Sequence, residues 1–597
     1  MSKKILGIDL GTTNTVVAVF DGGRANVIPD LSGNRTTPSI VAFTENGQRL
    51  VGFAARNQQI TNPQNTIYSV KRFMGRRHKE VSHEERIVPY TILGKPEEFV
   101  QIKAGKRKYM PQEIAAMLLR TMKETAEAHL DEDITEAVIT VPAYFDESQR
   151  KATKDAGEIA GLKVERIINE PTAAALAYGL QARESKQIIV FDFGGGTFDI
   201  CAIKIEDGNF RVISVNGNTR LGGDDFDQRI IDIVADDFRR KHRVDLRHDP
   251  MALQRLKEAA EKAKTDLSQR LETQIMLPFI SIDGRGAKHL EFTLTRETFV
   301  SVCIDLFDEL RACCNEVRLS SGLWGKRIQD VVMVGGSTRI PKVQEIAKEV
   351  FEVEQLQKAI NPDEVVGLGA AVLGGVLQGD LHDIRLMDVT AHSLGVELQR
   401  DKVGMLIPKN TPIPCQKKRI FSTPQDEQTS VPIRVLEGES KLASANRTLA
   451  LFQLRGIPKL PRGVPQIMVT FEMDANGILN VAAKDEATGK QQDIEISEGV
   501  GLDKTEIERL RKTAAEFDKM DARQETVVDL RNHGEQVLAE LAEWFAFNRK
   551  LMPKRTEIQI ASALDKLRNR VKGRDTAAIR SALKRLDRVV LPLRKAG

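Results

Sequence analysis

From residue 1 to about residue 380, short β-branched runs alternate with longer stretches of helical periodicity, the pattern of an α/β domain. The pattern repeats itself. Ile5-Leu6-Gly7-Ile8-Asp9-Leu10-Gly11-Thr12-Thr13 is echoed by Ile188-Ile189-Val190-Phe191-Asp192-Phe193-Gly194-Gly195-Gly196-Thr197, with Asp9 and Gly11 displaced by the same 183 positions to Asp192 and Gly194. Each copy reads as an apolar strand, an Asp-x-Gly turn and a returning strand, Val16–Phe20 in the first and Asp199–Ile203 in the second. A second matched pair follows, with Ala137–Val141 leading into Pro142 and Ile328–Val334 leading into Gly335-Gly336-Ser337. Duplicated halves predict two similar lobes, and the cleft between lobes is the expected place for a ligand.

Beyond Asp388 the period changes to two. Ile467, Val469, Phe471 and Met473 alternate along one strand, Asn476-Gly477 supplies a hairpin turn, and Leu479, Val481 and Ala483 return from it, which predicts an antiparallel β domain. A helix start follows, with Asp503 as N-cap, Glu506 at the third helical position and Leu502 paired with Ile507. Helical spacing then recurs in Ile560/Leu564/Leu567/Val571 and Ile579/Leu583/Leu586/Val590, with Gly573 ending one helix and Asp575 capping the next, so the C-terminal part is a helical bundle.

Composition narrows the class. At 597 residues the chain holds roughly four domain-sized units. With 41% hydrophobic and 29% charged residues it is too apolar for global disorder. No apolar run approaches the ~18 residues of a membrane span, and Asp9 interrupts any signal-peptide core. Five cysteines without a C-x-x-C pair predict neither a zinc ribbon nor a disulfide scaffold, and point to a reducing cytoplasm. The net charge of +4 divides unevenly, because residues 551–597 carry +9 and the rest −5. Without aromatic stacking residues that basic end reads as a solvated helix face, not as a nucleic-acid surface.

The two Asp-x-Gly turns carry the candidate chemistry. Their glycines let backbone N–H groups approach anionic oxygens, the threonines add donors, and an aspartate at each strand end can hold a hydrated magnesium ion from opposite sides. One such turn alone is an ordinary tight turn; two at matching places in duplicated halves point to phosphates. Thr488-Gly489-Lys490 lacks the rest of a Walker A motif, and Gly367-Leu368-Gly369-Ala370-Ala371 follows no strand and reads as close helix packing.

Asp9–Thr13, Asn169-Glu170-Pro171-Thr172-Ala173-Ala174, Phe193–Asp199 and Val334-Gly335-Gly336-Ser337-Thr338-Arg339-Ile340-Pro341 resemble the signatures of the seventy-kilodalton heat-shock chaperones. Lys257–Glu261 and Gly286–Leu290 favour the bacterial DnaK type, and the likeness runs in order from residue 5 to about 590. It implies an actin-like ATPase domain over 1–380, a linker over 381–389, a β-sandwich substrate domain over 390–500 and a helical lid over 501–597. By matched position, Gly11, Thr12, Thr13 and Asn14 with Gly194, Gly195, Gly196 and Thr197 would hold the phosphates of ATP. Asp9, Glu170, Asp192 and Asp199 would order magnesium waters, potassium ions or the attacking water. Lys71 would direct its ammonium at the γ-phosphate, with Thr197, Glu170, Asp9 and Asp199 completing the catalytic set. Glu261, Lys264 and Ser268 would hold ribose and base from one side, and Gly335, Gly336, Ser337 and Arg339 from the other.

The resemblance further implies that Val396, Leu398, Phe421, Val431 and Ile433 line a pocket for an extended apolar peptide. Gln399 and Pro424 would arch over it, and Pro142, Arg166 and Asp388 would couple nucleotide state to grip. Partners would be unfolded polypeptides, a J-domain co-chaperone and a GrpE-like exchange factor. Four departures stand out: Arg385 places a charge inside a linker that is strongly apolar in the family, His392 replaces a usual apolar residue, Gln399 makes the arch polar, and no acidic tail precedes Gly597. Docking must let Arg385 snorkel or find a carboxylate partner, and its burial otherwise costs a few kcal/mol; the expectation is that stimulation of the ATPase by peptide and J-domain protein is weak and that Arg385→Leu strengthens both. Two competing readings are a specialised paralogue holding a restricted partner, and a small-molecule kinase on the same actin-like scaffold.

Overall fold

The computed structural model describes residues 4–495 apart from 31, 46, 183–184, 284–285 and 358–360, and beyond them 502, 505–513 and parts of 535–586. The duplication read from the sequence is a duplication of sheets. In the first lobe, strand β1 (Ile5–Leu10) lies between an antiparallel β2 (Asn14–Asp21) and a parallel β3 (Glu136–Val141), which is followed outward by β4 (Lys163–Asn169). In the second lobe, β5 (Lys186–Phe193) lies between an antiparallel β6 (Phe198–Glu206) and a parallel β8 (Asp330–Val334), with β7 (Asn209–Asn218) beyond β6. Strands buried on both faces explain the nearly continuous apolar runs.

Helices α1 (Glu147–Ile159), α2 (Glu170–Ala182), α3 (Gly223–His242), α4 (Pro250–Gln269) and α5 (Val365–Gln378) cover the sheets. The glycine-rich stretch 367–371 belongs to α5 and is a packing device, as expected. A Cβ on Gly369 would stand 1.7 Å from the Ala173 carbonyl oxygen, and one on Gly7 would stand 2.1 Å from the Ala371 nitrogen.

The linker is a strand. β9 (Arg385–Val389) extends the second lobe's sheet, parallel to β7, with Asn209 opposite Arg385 and Arg211 opposite Met387. Its far end pairs with Pro412–Ile413 of the β domain. That domain is two four-stranded antiparallel sheets. One runs β11 (Lys402–Ile407), β10 (Leu394–Leu398), β13 (Ser430–Glu437), β14 (Arg447–Arg455); the other runs β12 (Cys415–Phe421), β15 (Ile467–Met473), β16 (Leu479–Asp485), β17 (Gln491–Glu495). Ile467, Val469, Phe471 and Met473 face the common core, in agreement with the period-two pattern.

The first compact unit runs to Arg511. Leu502, Ile507 and Leu510 pack into the core of the first lobe, whereas Asp503 lies outside the described residues. In the second unit, Lys512–Gly597, Ile560, Leu564 and Leu567 of helix α6 (Lys554–Arg570) share a core with Val571, Ile579, Leu583 and Leu586. Asp575 and Val590 lie outside the described residues.

Candidate nucleotide site and domain interface

The two Asp-x-Gly turns meet tip to tip. A Cβ on Gly195 would lie 2.1 Å from Thr13 Oγ1, and one on Gly196 would lie 2.7 Å from Thr12 Oγ1, so only glycine lets the lobes approach this closely. The second turn is braced from behind. Gly223 N–H donates to the Gly194 carbonyl at 3.0 Å, Asp224 N–H to Gly195 at 2.8 Å, and Ser337 Oγ to Gly194 at 2.8 Å. Between the lobes lies a cavity of about 670 Å³. Every residue expected to bind nucleotide lines it except Gly196, which is spent on the contact with Thr12.

Asp9, Glu170 and Asp192 line the cavity floor, and Asp199, expected beside them, is buried behind it and does not line the cavity. Asp9 accepts from Thr140 Oγ1 at 3.1 Å, Asp199 accepts from the Tyr144 N–H at 3.0 Å, and Glu170 accepts from Lys71 Nζ. Burial, together with the neighbouring Glu170 charge, pushes the Asp9 and Asp199 carboxyls up to about 7, and Asp192 is raised for the same reasons. The Lys71 ammonium, itself 4% exposed, offsets part of this negative charge, and the Arg150 guanidinium does so for Asp199. Such a crowd of buried like charges fits a bound cation. Among the described residues no three His, Cys, Asp or Glu side chains are placed to hold a metal ion together.

The side of the cavity expected to hold the base is already cross-linked. Lys264 Nζ donates to Asp227 at 2.7 Å and to the Gly223 carbonyl at 2.9 Å, and Arg339 donates to Asp363 at 2.8 Å. Sequence reasoning missed Arg72, which reaches from the first lobe to hold Asp225 of the second in a bidentate pair at 3.0 and 2.5 Å and donates to the Gly196 carbonyl at 3.3 Å. Its only signal was its place beside Lys71. Missed too was the bidentate pair of Arg35 with Glu364 at 2.8 and 2.7 Å.

The chain, a duplicated α/β domain with paired Asp-x-Gly turns followed by a β sandwich and helices, is matched by the family model of the Hsp70 protein over residues 5–596. The chain belongs to the Hsp70 family. Hsp70 proteins are ATP-dependent chaperones, ATPases that bind ATP with magnesium, grip unfolded peptides and work with J-domain and nucleotide-exchange partners. No helix among the described residues is long and apolar enough to cross a membrane.

In this Hsp70 chain the expected peptide residues belong to strands β10, β12 and β13 of the β sandwich and the loops after them. Val396 and Ile433 are buried in its core, Leu398, Phe421 and Val431 are half-buried against it, and Gln399 and Pro424 are exposed in the flanking loops.

The β domain is docked on the ATPase domain. Asp388 in β9 accepts from Asn169 Nδ2 at 2.9 Å and from Thr172 Oγ1 at 3.0 Å. The Asn476 turn, recognised only as a hairpin in the sequence, inserts here: its side-chain oxygen accepts from Ile167 N–H at 3.1 Å. Buried Arg150, also missed, donates to Asn169 Oδ1 at 2.7 Å and to the Asn476 carbonyl at 3.5 Å. Lys409 pairs with Glu316 at 2.5 Å, and Arg447 pairs with Asp146. Pro142 is buried at the end of β3, and Arg166 is half-buried in β4.

Arg385 differs from its expected setting. It lies at the exposed start of β9, where its backbone N–H donates to Gly208 at 3.0 Å while its side chain stays in solvent. The burial cost expected for it does not arise, because β9 presents Arg385 and Met387 outward and Leu386 inward.

Proposed function

We propose that the chain is a DnaK-type peptide clamp of the cytoplasm in which ATP hydrolysis in the lobed domain switches the β domain and lid between open and closed grip on extended apolar segments. One observation carries this reading. Asn169, held by Arg150 and Asp388 at the domain interface, is followed directly by Glu170, whose carboxylate meets Lys71 in the nucleotide cavity. A change at the γ-phosphate is therefore one peptide unit away from the docked linker.

The chemistry is positioning and charge neutralisation. Gly11–Asn14 and Gly194–Thr197 grip the phosphates through backbone N–H groups and hydroxyls. Lys71 shifts from Glu170 toward the γ-phosphate and orients the attacking water, while Glu170 and Thr197 hold that water. Glu261, Lys264, Ser268, Gly335, Gly336, Ser337 and Arg339 fix the nucleoside. Asp9, Asp192, Asp199 and Glu170 would hold the waters of a bound magnesium ion or a potassium ion, which would supply neutralisation of the phosphate charge. Undocking of β9 frees the β domain, so that Val396, Leu398, Phe421, Val431 and Ile433 close on the peptide under Gln399 and Pro424. Pro142, Arg166 and Asp388 relay the change.

The docked β domain argues against a small-molecule kinase, which has no use for it. The exposed Arg385 withdraws one of the two reasons to expect a paralogue with weak coupling, and the missing acidic tail remains the other. A single-turnover measurement of ATP hydrolysis tests the reading, with and without a leucine-rich peptide and a J-domain protein. Stimulation by both supports it; hydrolysis indifferent to both contradicts it.

A further inference from the structure

The docked interface holds a histidine. His392, three residues beyond the end of β9, is half-buried with its ring edge-on to Tyr144 at 4.2 Å between centroids, and its Nε2–H donates to the Tyr144 carbonyl at 3.5 Å. The same Tyr144 residue donates its N–H to Asp199 in the nucleotide site. The ring therefore sits against the peptide segment that anchors a nucleotide-site carboxylate, and it does so only while the β domain is docked.

Its surroundings suit an uncharged ring. Lys409 Nζ lies 5.3 Å from the Tyr144 ring centroid and donates to the Tyr144 hydroxyl at 3.3 Å, and the Arg150 guanidinium is buried in the same interface. The carboxylates nearby are engaged. Glu439 accepts from Ser393 N–H and Oγ at 2.8 and 2.7 Å, Glu316 pairs with Lys409, and Glu147 accepts from Leu479 N–H at 3.1 Å. Burial raises the Glu437 carboxyl to about 7 and raises Glu147 too, so neither supplies a full negative charge as the pH falls. Burial and the two cations lower His392 to about 4.

We propose that docking of the β domain requires a neutral His392, so that protonation of this ring drives the domain off the ATPase domain. The proposal rests on the docked and undocked states of the preceding reading. Its sign follows from linkage: a histidine titrating near 4 when docked and near 6.5 when free favours docking fully above about pH 6.5, and that contribution is lost as the pH falls toward 4. Glu437 and Glu147 titrate in the opposite sense, so the His392 contribution is the difference between the parent and a variant with no titrating ring.

Two measurements on the full chain test it. The docked fraction with saturating ATP, followed by X-ray scattering at pH 7.5 and 5.5, gives a docking constant for the parent, His392→Leu and His392→Gln. The parent's constant should fall about tenfold more than that of either variant between these pH values. The His392 ring is also titrated directly by NMR in the compact state, its resonance assigned by its absence in His392→Gln. A midpoint well below 6 supports the proposal whether or not the protein proves to be a peptide clamp. A midpoint near 6.5 in the compact state, or identical pH dependence in parent and variants, overturns it.

Discussion

Asn169 and Asp388 lie 219 residues apart and are joined by a hydrogen bond of 2.9 Å from the Asn169 amide to the Asp388 carboxylate. One residue ends the strand that feeds Glu170 into the nucleotide cavity, and the other belongs to the linker strand that docks the β domain. Arg150, from the same lobe, holds the opposite end of the Asn169 amide at 2.7 Å, so the side chain is fixed with its Nδ2 toward the linker strand. Coupled sites of this kind typically exchange ~1–3 kcal/mol.

Asn169→Ala and Asp388→Ala should each abolish most of the stimulation of ATPase by peptide, while basal hydrolysis changes within about threefold. The double substitution should cost little more than either single one, because both remove the same contact. Steady-state ATPase with and without peptide measures this, and fully additive losses would contradict a shared contact.

Lys71→Ala should lower single-turnover hydrolysis by about 10² or more, the scale of losing one preorganised charge-stabilising group. ATP affinity should stay within a few-fold, because the backbone turns supply most of the phosphate grip. Isothermal titration together with single-turnover kinetics separates the two effects, and near-parental hydrolysis would remove Lys71 from the mechanism.

Val431→Asp would set a carboxylate against the apolar core of the β sandwich, where Val431 is half-buried, at a cost of several kcal/mol by the roughly 2–7 kcal/mol scale for unpaired polar burial. Peptide affinity should collapse with basal ATPase intact. Parallel loss of both activities and of the melting temperature would mark Val431 as core alone.

Arg385→Leu should change stimulation by peptide or J-domain protein no more than about twofold, the range of an ordinary surface substitution. The side chain is exposed on β9, so removing its charge relieves no burial penalty. A large gain in stimulation would restore the view that this charge weakens docking.

The Asp9 and Asp199 carboxyls titrate near 7 in the folded chain, against an ordinary value near 3.9. A raised carboxyl stabilises the fold below its unfolded value, and that stability is lost as pH rises through 7. The nucleotide-free protein should therefore gain more in melting temperature from magnesium and ATP at pH 8 than at pH 5.5. Equal gains would show that these carboxylates do not repel one another in the empty site.

The lobes were legible because duplication leaves matched Asp-x-Gly turns 183 residues apart, and strand–turn–strand runs are local. The β domain was legible from Ile467, Val469, Phe471 and Met473, whose alternation survives in the core. What escaped was whatever joins distant segments. Arg72, Arg150, Asn476 and the Arg35–Glu364 pair look like ordinary surface or turn residues in one dimension, and become contacts only when two lobes or two domains meet. Arg385 was misjudged for a related reason. Its placement depends on which face β9 turns to the sheet, and a five-residue strand with charges at both its first and fourth positions does not disclose that face.

The central claim, that nucleotide in the lobed domain sets the grip of the β domain, is tested most directly by the dissociation rate of a fluorescent leucine-rich peptide with and without ATP. ATP should speed release by about 5- to 150-fold in the parent protein, the range of a ~1–3 kcal/mol coupling, and should do little in Asp388→Ala. Release at the same rate with and without ATP, in a protein that binds both ligands, would contradict the account.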